Sequence, residues 1–215
     1  MKKNLTELVM ILDRSGSMGG LEKDTVGGVN GFLAKQREEP GEALVSVVFF
    51  DHEMQVIYDR APLAQVSPIT EKEYFVRGTT ALLDAVGRSI RHIGNVHKYA
   101  REEDRPEKTI FVITTDGMEN ASQEYTYDRL KEMIGRQREK YGWEFLFLGA
   151  NIDAVGEAAR FGIHEDRAAE FINDEEGIAL GYEAFSEAVS SMRVCSAPIN
   201  GGWKRKVEEN TRRRK

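Results

Sequence analysis

The run Leu8-Val9-Met10-Ile11-Leu12, followed at once by Asp13-Arg14-Ser15-Gly16-Ser17, decides how this chain is read. An unbroken apolar run that stops at a carboxylate, a glycine and two serines describes a strand buried on both faces and ending in a polar loop. A second run, Thr109-Ile110-Phe111-Val112-Ile113-Thr114, stops in the same way at Thr115-Asp116-Gly117. Between them in sequence lies Gly78-Thr79-Thr80, at the opening of a helical pattern. Open α/β sheets place their ligands beyond the carboxyl ends of their strands, so all three pieces fall where a ligand site is expected. Two carboxylates and several hydroxyls are oxygen donors, a set that suits a hard divalent cation such as Mg²⁺ rather than zinc or copper.

Working outward, the pattern predicts strands over residues 5–12, 43–50, 54–58, 109–115 and 143–148, with a sixth over 168–172. Helices are expected over 22–38, 81–99 and 124–140, with a short one starting at Asp153 and a last one capped by Asp174 and ending near Arg193. Gly27, Gly28 and Gly31 weaken the first of these. Only Asp51-His52-Glu53 separates the second and third strands, too few residues for a crossover, so the third strand is expected antiparallel and at an edge. Strands alternating with helices give the fold class: a doubly wound, mostly parallel α/β sheet of about six strands, one antiparallel edge strand, and helices on both faces.

The chain has 215 residues, enough for one sizeable domain. We expect that domain over residues 1–195 and a basic, disordered tail over 196–215, because the last thirteen residues carry seven Lys/Arg against two Glu. The net charge of −6 therefore hides a body near −11, which argues against broad nucleic-acid binding. A single cysteine, Cys195, cannot form an internal disulfide and suits a reducing compartment. The apolar run at the start is broken by Thr6 and Glu7 and ends at Asp13, too short for a secretory core, and no later segment is expected to span a membrane. A cytoplasmic protein is the expectation.

Asp13-x-Ser15-x-Ser17, then Gly78-x-Thr80-x-Leu82-x-x-Ala85, then a strand ending in Asp116-Gly117 resemble, in the same order, the metal-ion-dependent adhesion site of von Willebrand factor type A domains. The resemblance covers roughly residues 5–173 and is also similar to small stand-alone bacterial and phage members. It implies a strand order 3-2-1-4-5-6, in which the first and fourth strands are neighbours and their terminal aspartates meet. It also implies that Asp13, Ser15, Ser17, Thr80 and Asp116 hold Mg²⁺, with Mn²⁺ or Ca²⁺ as alternatives that accept the same oxygens. Neutral hydroxyls leave such an ion under-neutralised, so a carboxylate from a protein partner is the implied ligand.

Several positions keep two readings. The spacing to Leu82 and Ala85 favours Thr80 over Thr79 as the ligand, leaving Thr79 as a loop hydroxyl on the partner side. Arg14 would point to solvent, compete with the cation, or meet an acidic partner beside it, and is a candidate partner contact. Asn151, after the fifth strand, is a candidate partner contact on the same rim, whereas Asp153 reads as a helix cap. Glu119 and Asn120 either reach the ion or its ligand or, the favoured reading, are surface loop residues. Cys195 is expected to pack modestly, Trp203 to be a tail aromatic, and the four histidines to be structural.

An enzyme is the less favoured reading. Haloacid-dehalogenase-like phosphatases place a second Asp where this chain has Ser15, and neither a G-x-x-x-x-G-K-[ST] loop nor a G-x-G-x-x-G occurs. A Mg²⁺-dependent hydrolase and a scaffold with an unused metal site stand behind the non-enzymatic binding module.

Overall fold

The computed structural model describes residues 1–195 and 199–214. Six strands form one sheet in the order β3-β2-β1-β4-β5-β6. They are β1 (Lys2–Asp13), β2 (Glu42–Phe50), β3 (Met54–Pro62), β4 (Pro106–Thr115), β5 (Glu144–Ala150) and β6 (Ala168–Phe171). Only β2 and β3 pair antiparallel, which puts β3 at one edge as its short link requires. The parallel register sets Leu12 beside Thr114 and Asp13 beside Phe50, so the two strand ends that carry aspartates lie side by side.

Alternation along β1 feeds two cores. Leu8, Met10 and Leu12 face one layer, with α1 (Glu22–Glu38) and α5 (Glu175–Val194). Val9 and Ile11 face the other, with α2 (Leu82–Tyr99), α3 (Tyr127–Tyr141) and α4 (Ala154–Arg160). Fully burying an aliphatic side chain contributes about 1.5–3 kcal/mol, and both layers share that burial between strands and helices. The stripe on α2, Leu82, Val86, Ile90 and Ile93, is buried throughout. The glycines of α1 do not break it, and at Gly28 the missing side chain is a packing requirement: a Cβ there would stand 2.2 Å from the ring of Tyr182 on α5. Asp153 and Asp174 cap α4 and α5, each accepting from a backbone N–H of the first turn.

The tail corrects the expectation of a disordered end. Residues Gly201–Lys204 form a 3₁₀ turn and Arg205–Arg214 a helix, α6, laid along β6 and α5. Trp203 stacks on Phe185 with centroids 5.9 Å apart, and Val207 is buried. Lys204 Nζ donates to the carbonyl of Ala168 and Thr211 Oγ1 to that of Glu170, so the tail closes the free edge of β6. Trp203, Val207 and Thr211 recur every four residues, a helical stripe masked by the surrounding Lys and Arg. Cys195, expected to pack, is exposed.

Candidate metal centre

Asp13 is the last residue of β1 and 2% exposed. Its Oδ1 accepts from the N–H of Ser15 at 2.6 Å, and its Oδ2 accepts from Thr115 Oγ1 on the adjacent strand, also at 2.6 Å. Its backbone carbonyl accepts from the buried phenol of Tyr74 at 2.6 Å. Asp116 follows β4; its Oδ1 accepts from Ser17 Oγ at 2.5 Å and its Oδ2 from Asn173 Nδ2 at 2.9 Å. The hydroxyls of Ser15 and Ser17 lie 3.2 Å apart. Gly117 locates the remaining donor: a Cβ built there would sit 3.3 Å from Thr80 Oγ1 and 3.4 Å from Ser17 Oγ. Asp13, Ser15, Ser17, Thr80 and Asp116 thus converge on one small volume although about a hundred residues separate the two aspartates.

The electrostatics of this volume are one-sided. Burial pushes the Asp13 carboxyl up to about 6, against hydrogen bonds from Thr115 and Ser15, and the nearby charge of Asp116 adds to the rise. Burial also raises Asp116, opposed by Ser17 and Asn173. Among the described residues no lysine or arginine pairs with either carboxylate.

No known family profile and no curated protein matches this sequence. Solved structures do. The von Willebrand domain of the pilus tip protein Mfa5 from Porphyromonas gingivalis has a TM-score of 0.61 at 11% identity, covering 91% of this chain and 98% of that one. A von Willebrand factor type A protein from Catenulispora acidiphila gives 0.59 at 16% identity, over 86% of this chain and 43% of that one. The fold is that of a von Willebrand factor type A domain. Proximal thread matrix protein 1 of the mussel byssus, whose adhesion-site motif holds zinc, gives 0.58 at 13% identity, over 86% of this chain and 46% of that one. The chain spans less than half the length of the Catenulispora and mussel chains.

Within this fold, Arg14 is not a surface contact. It is fully buried, and its Nε donates to Asp51 Oδ2 at 2.8 Å and its Nη1 to Gln55 Oε1 at 2.5 Å. This corrects the expectation of a partner contact: the acidic group that Arg14 meets is the chain's own Asp51, and burial keeps it from an outside partner. Asp51 also accepts from Arg77 Nε at 2.9 Å and from the N–H of Glu53 at 2.8 Å. Backbone bonds complete the clamp: Arg14 N–H donates to Phe50, Arg77 N–H to Arg14, and Ala81 N–H to Asp51. The first motif, the β2–β3 turn and the Thr80 loop are thereby tied together. Asp51, His52 and Glu53 bring ligand atoms within 4.8 Å of one another, but Arg14 and Arg77 already neutralise that cluster.

Thr79 is exposed and Thr80 buried, which places Thr80 inside the site and Thr79 on its rim. Asn151 is exposed with φ 57°, the left-handed conformation that asparagine tolerates. Glu119 and Asn120 do more than the loop role expected of them. Asn120 Oδ1 accepts from Thr80 N–H at 3.0 Å, and Glu119 Oε2 accepts from Leu83 N–H at 2.9 Å, satisfying orphan donors at the start of α2. Sequence reading missed Thr115, Tyr74 and Asn173. The register between β1 and β4 would have placed Thr115 beside Asp13; Tyr74 and Asn173 sit in segments with no pattern that signals their reach.

Proposed function

We propose that this A-domain is a metal-dependent protein-binding module in which Asp13, Ser15, Ser17, Thr80 and Asp116 hold Mg²⁺ or Mn²⁺. The observation that carries the reading is the pairing of two buried, raised carboxylates with three hydroxyls and, among the described residues, no protein cation, an arrangement whose charge is completed by an external cation. Asn173 adds to it: its Nδ2 holds Asp116 while its buried Oδ1 has no partner, one more oxygen at the site. The donors are all oxygen, which favours Mg²⁺ and Mn²⁺ and admits Ca²⁺. A bound ion would supply a Lewis-acidic position for an anionic oxygen from outside.

The occupant we infer is a carboxylate of a partner protein, approaching over the rim formed by Thr79 and Asn151. We read the module as a binder and not an enzyme because its histidines are engaged elsewhere: His92 with Asp59, His97 with Glu7, His164 with Asp166 and His52 with Asp51. None is left beside Asp13 or Asp116 as a general base among the described residues. No described helix is long and apolar enough to cross a membrane. The one cysteine, exposed and free, suits a reducing compartment, and we place the protein in the cytoplasm.

Calorimetric titration of EDTA-stripped protein with Mg²⁺ and Mn²⁺ tests the reading. Saturable binding is expected in the wild type and none in Asp116→Ala, with circular dichroism showing that the variant is folded. Wild-type protein that stays silent to both ions, with and without added acetate as a carboxylate ligand, would overturn it.

A further inference from the structure

We propose that the groove between α2 and α3 is a second binding site, for an acidic, amphipathic segment of a partner protein. The groove encloses about 1120 Å³ and lies on the α2–α3 face, lined by side chains that the metal centre does not use. Two helical stripes form its walls. On α2 these are Ile90, Arg91, Gly94 and Lys98, and on α3 Arg129, Met133, Arg136 and Lys140. From Arg129 to Lys140 the wall runs roughly 16 Å at 1.5 Å per residue, the length of a peptide helix of about three turns. Gly94 widens the middle: a Cβ added there would only reach ordinary contact with Gln137 and Trp143.

Charge selects the occupant. Arg91, Lys98, Arg105, Arg129, Arg136 and Lys140 line the groove against the carboxylates of Glu102, Glu107 and Glu124, a cationic face on a chain of net charge −6. Glu124 is committed to Arg88 and Arg91, and Arg129 is held by Glu132 on its own helix. Among the described residues Lys98, Arg105, Arg136 and Lys140 have no carboxylate partner. Their field is visible at Tyr141, which is half exposed: a hydrogen bond from Arg136 and the charges of Lys140 and Arg136 hold its phenol below the ordinary value. The lining is also apolar, with Met133 half-buried and packed against the buried cluster that contains Ile90 and Trp143. Cations along the walls beside an apolar lining complement a helix with glutamates on its flanks and aliphatic residues on one face. The three glutamates that interrupt the cations, and the acidic body around them, favour such a peptide over a nucleic acid.

The test uses the full chain and a fluorescein-labelled amphipathic peptide of glutamate and leucine, read by fluorescence anisotropy at low salt. Saturable binding that weakens with added salt is expected. The double variant Arg136→Glu/Lys140→Glu should weaken it by about tenfold or more, and Gly94→Leu, which fills the groove without altering charge, should weaken it as well. Both variants change solvent-facing or groove-facing positions, and thermal melts would confirm their folding. Binding should be unchanged by EDTA and by Asp116→Ala, which separates this site from the metal centre. The proposal is overturned if the peptide fails to bind, if charge reversal leaves its affinity intact, if EDTA abolishes it, or if an oligothymidylate binds the groove more tightly than the peptide.

Discussion

Asp13 closes β1 and Asp51 follows the neighbouring strand β2, and both carboxyls are buried, at 2% and 0% exposure. Their surroundings are opposite. Burial alone would raise Asp51, but hydrogen bonds from the Glu53 N–H, Arg77 and Arg14 outweigh it and hold the carboxyl below its ordinary value. At Asp13 burial wins, because only uncharged donors meet the carboxyl and the nearest charge is another aspartate. One carboxylate is neutralised from within and serves as a fastener. The other is left with a charge that the protein itself does not balance. A strand-end aspartate therefore declares its role by the cation it lacks, and burial by itself does not distinguish the two.

The largest effect expected from this contrast is at the fastener. Asp51→Ala leaves the Arg14 guanidinium buried without its carboxylate, and breaking a buried pair in this way costs about 3–5 kcal/mol. Urea unfolding measures it; a loss under about 1 kcal/mol would remove Asp51 from its structural role.

The pH dependence of the metal-free protein sharpens the contrast further. The folded value of Asp13 is raised, so its contribution to stability is fully present below its unfolded value of 3.8 and is lost as pH rises through about 6. Asp116 shifts in the same direction. Asp51, with a lowered folded value, has the opposite sign: its stabilisation is present above 3.8 and is lost only as pH falls below that value. In EDTA, the wild type is therefore expected to be more stable at about pH 5 than at about pH 7.5, with Asp13 contributing on the order of 1 kcal/mol to the change. Asp13→Asn should flatten most of this slope in urea midpoints taken across that range. A slope that survives Asp13→Asn unchanged would assign it to other groups.

The smallest effect is expected from Arg77→Ala. Its side chain is 39% exposed, and Arg14 and the Glu53 N–H still serve Asp51 after its removal, so a cost under about 1 kcal/mol is expected by thermal unfolding. A cost as large as that of Asp51→Ala would mean that Arg77 and not Arg14 is the clamp.

Much of this was legible in the residues themselves. Apolar runs ended by Asp13 and Asp116 placed two strands and their loops, because a strand buried on both faces must be apolar until it reaches the sheet's rim. The three-residue link before Met54 made β3 antiparallel, since no crossover fits in it. What stayed hidden depends on partners distant in sequence. Arg14 reads as a free cation within a surface motif until Asp51 is folded against it. The tail from Trp203 onward reads as a solvated basic end until Phe185 and the edge of β6 give its apolar stripe a surface to cover.

The sequence by itself therefore determined the α/β class, the strand ends and the oxygen-donor character of Asp13, Ser15, Ser17, Thr80 and Asp116. These follow from local periodicity and side-chain chemistry, which each segment carries wherever it is placed. Only the tertiary structure decided which carboxylate is neutralised by the protein and which is not, that Thr115 and Asn173 hold the two aspartates, and that the basic tail is a packed helix. Burial, and the cation that does or does not share it, are properties of the assembled sheet and its loops: a charge is costly only where folding has removed the water around it.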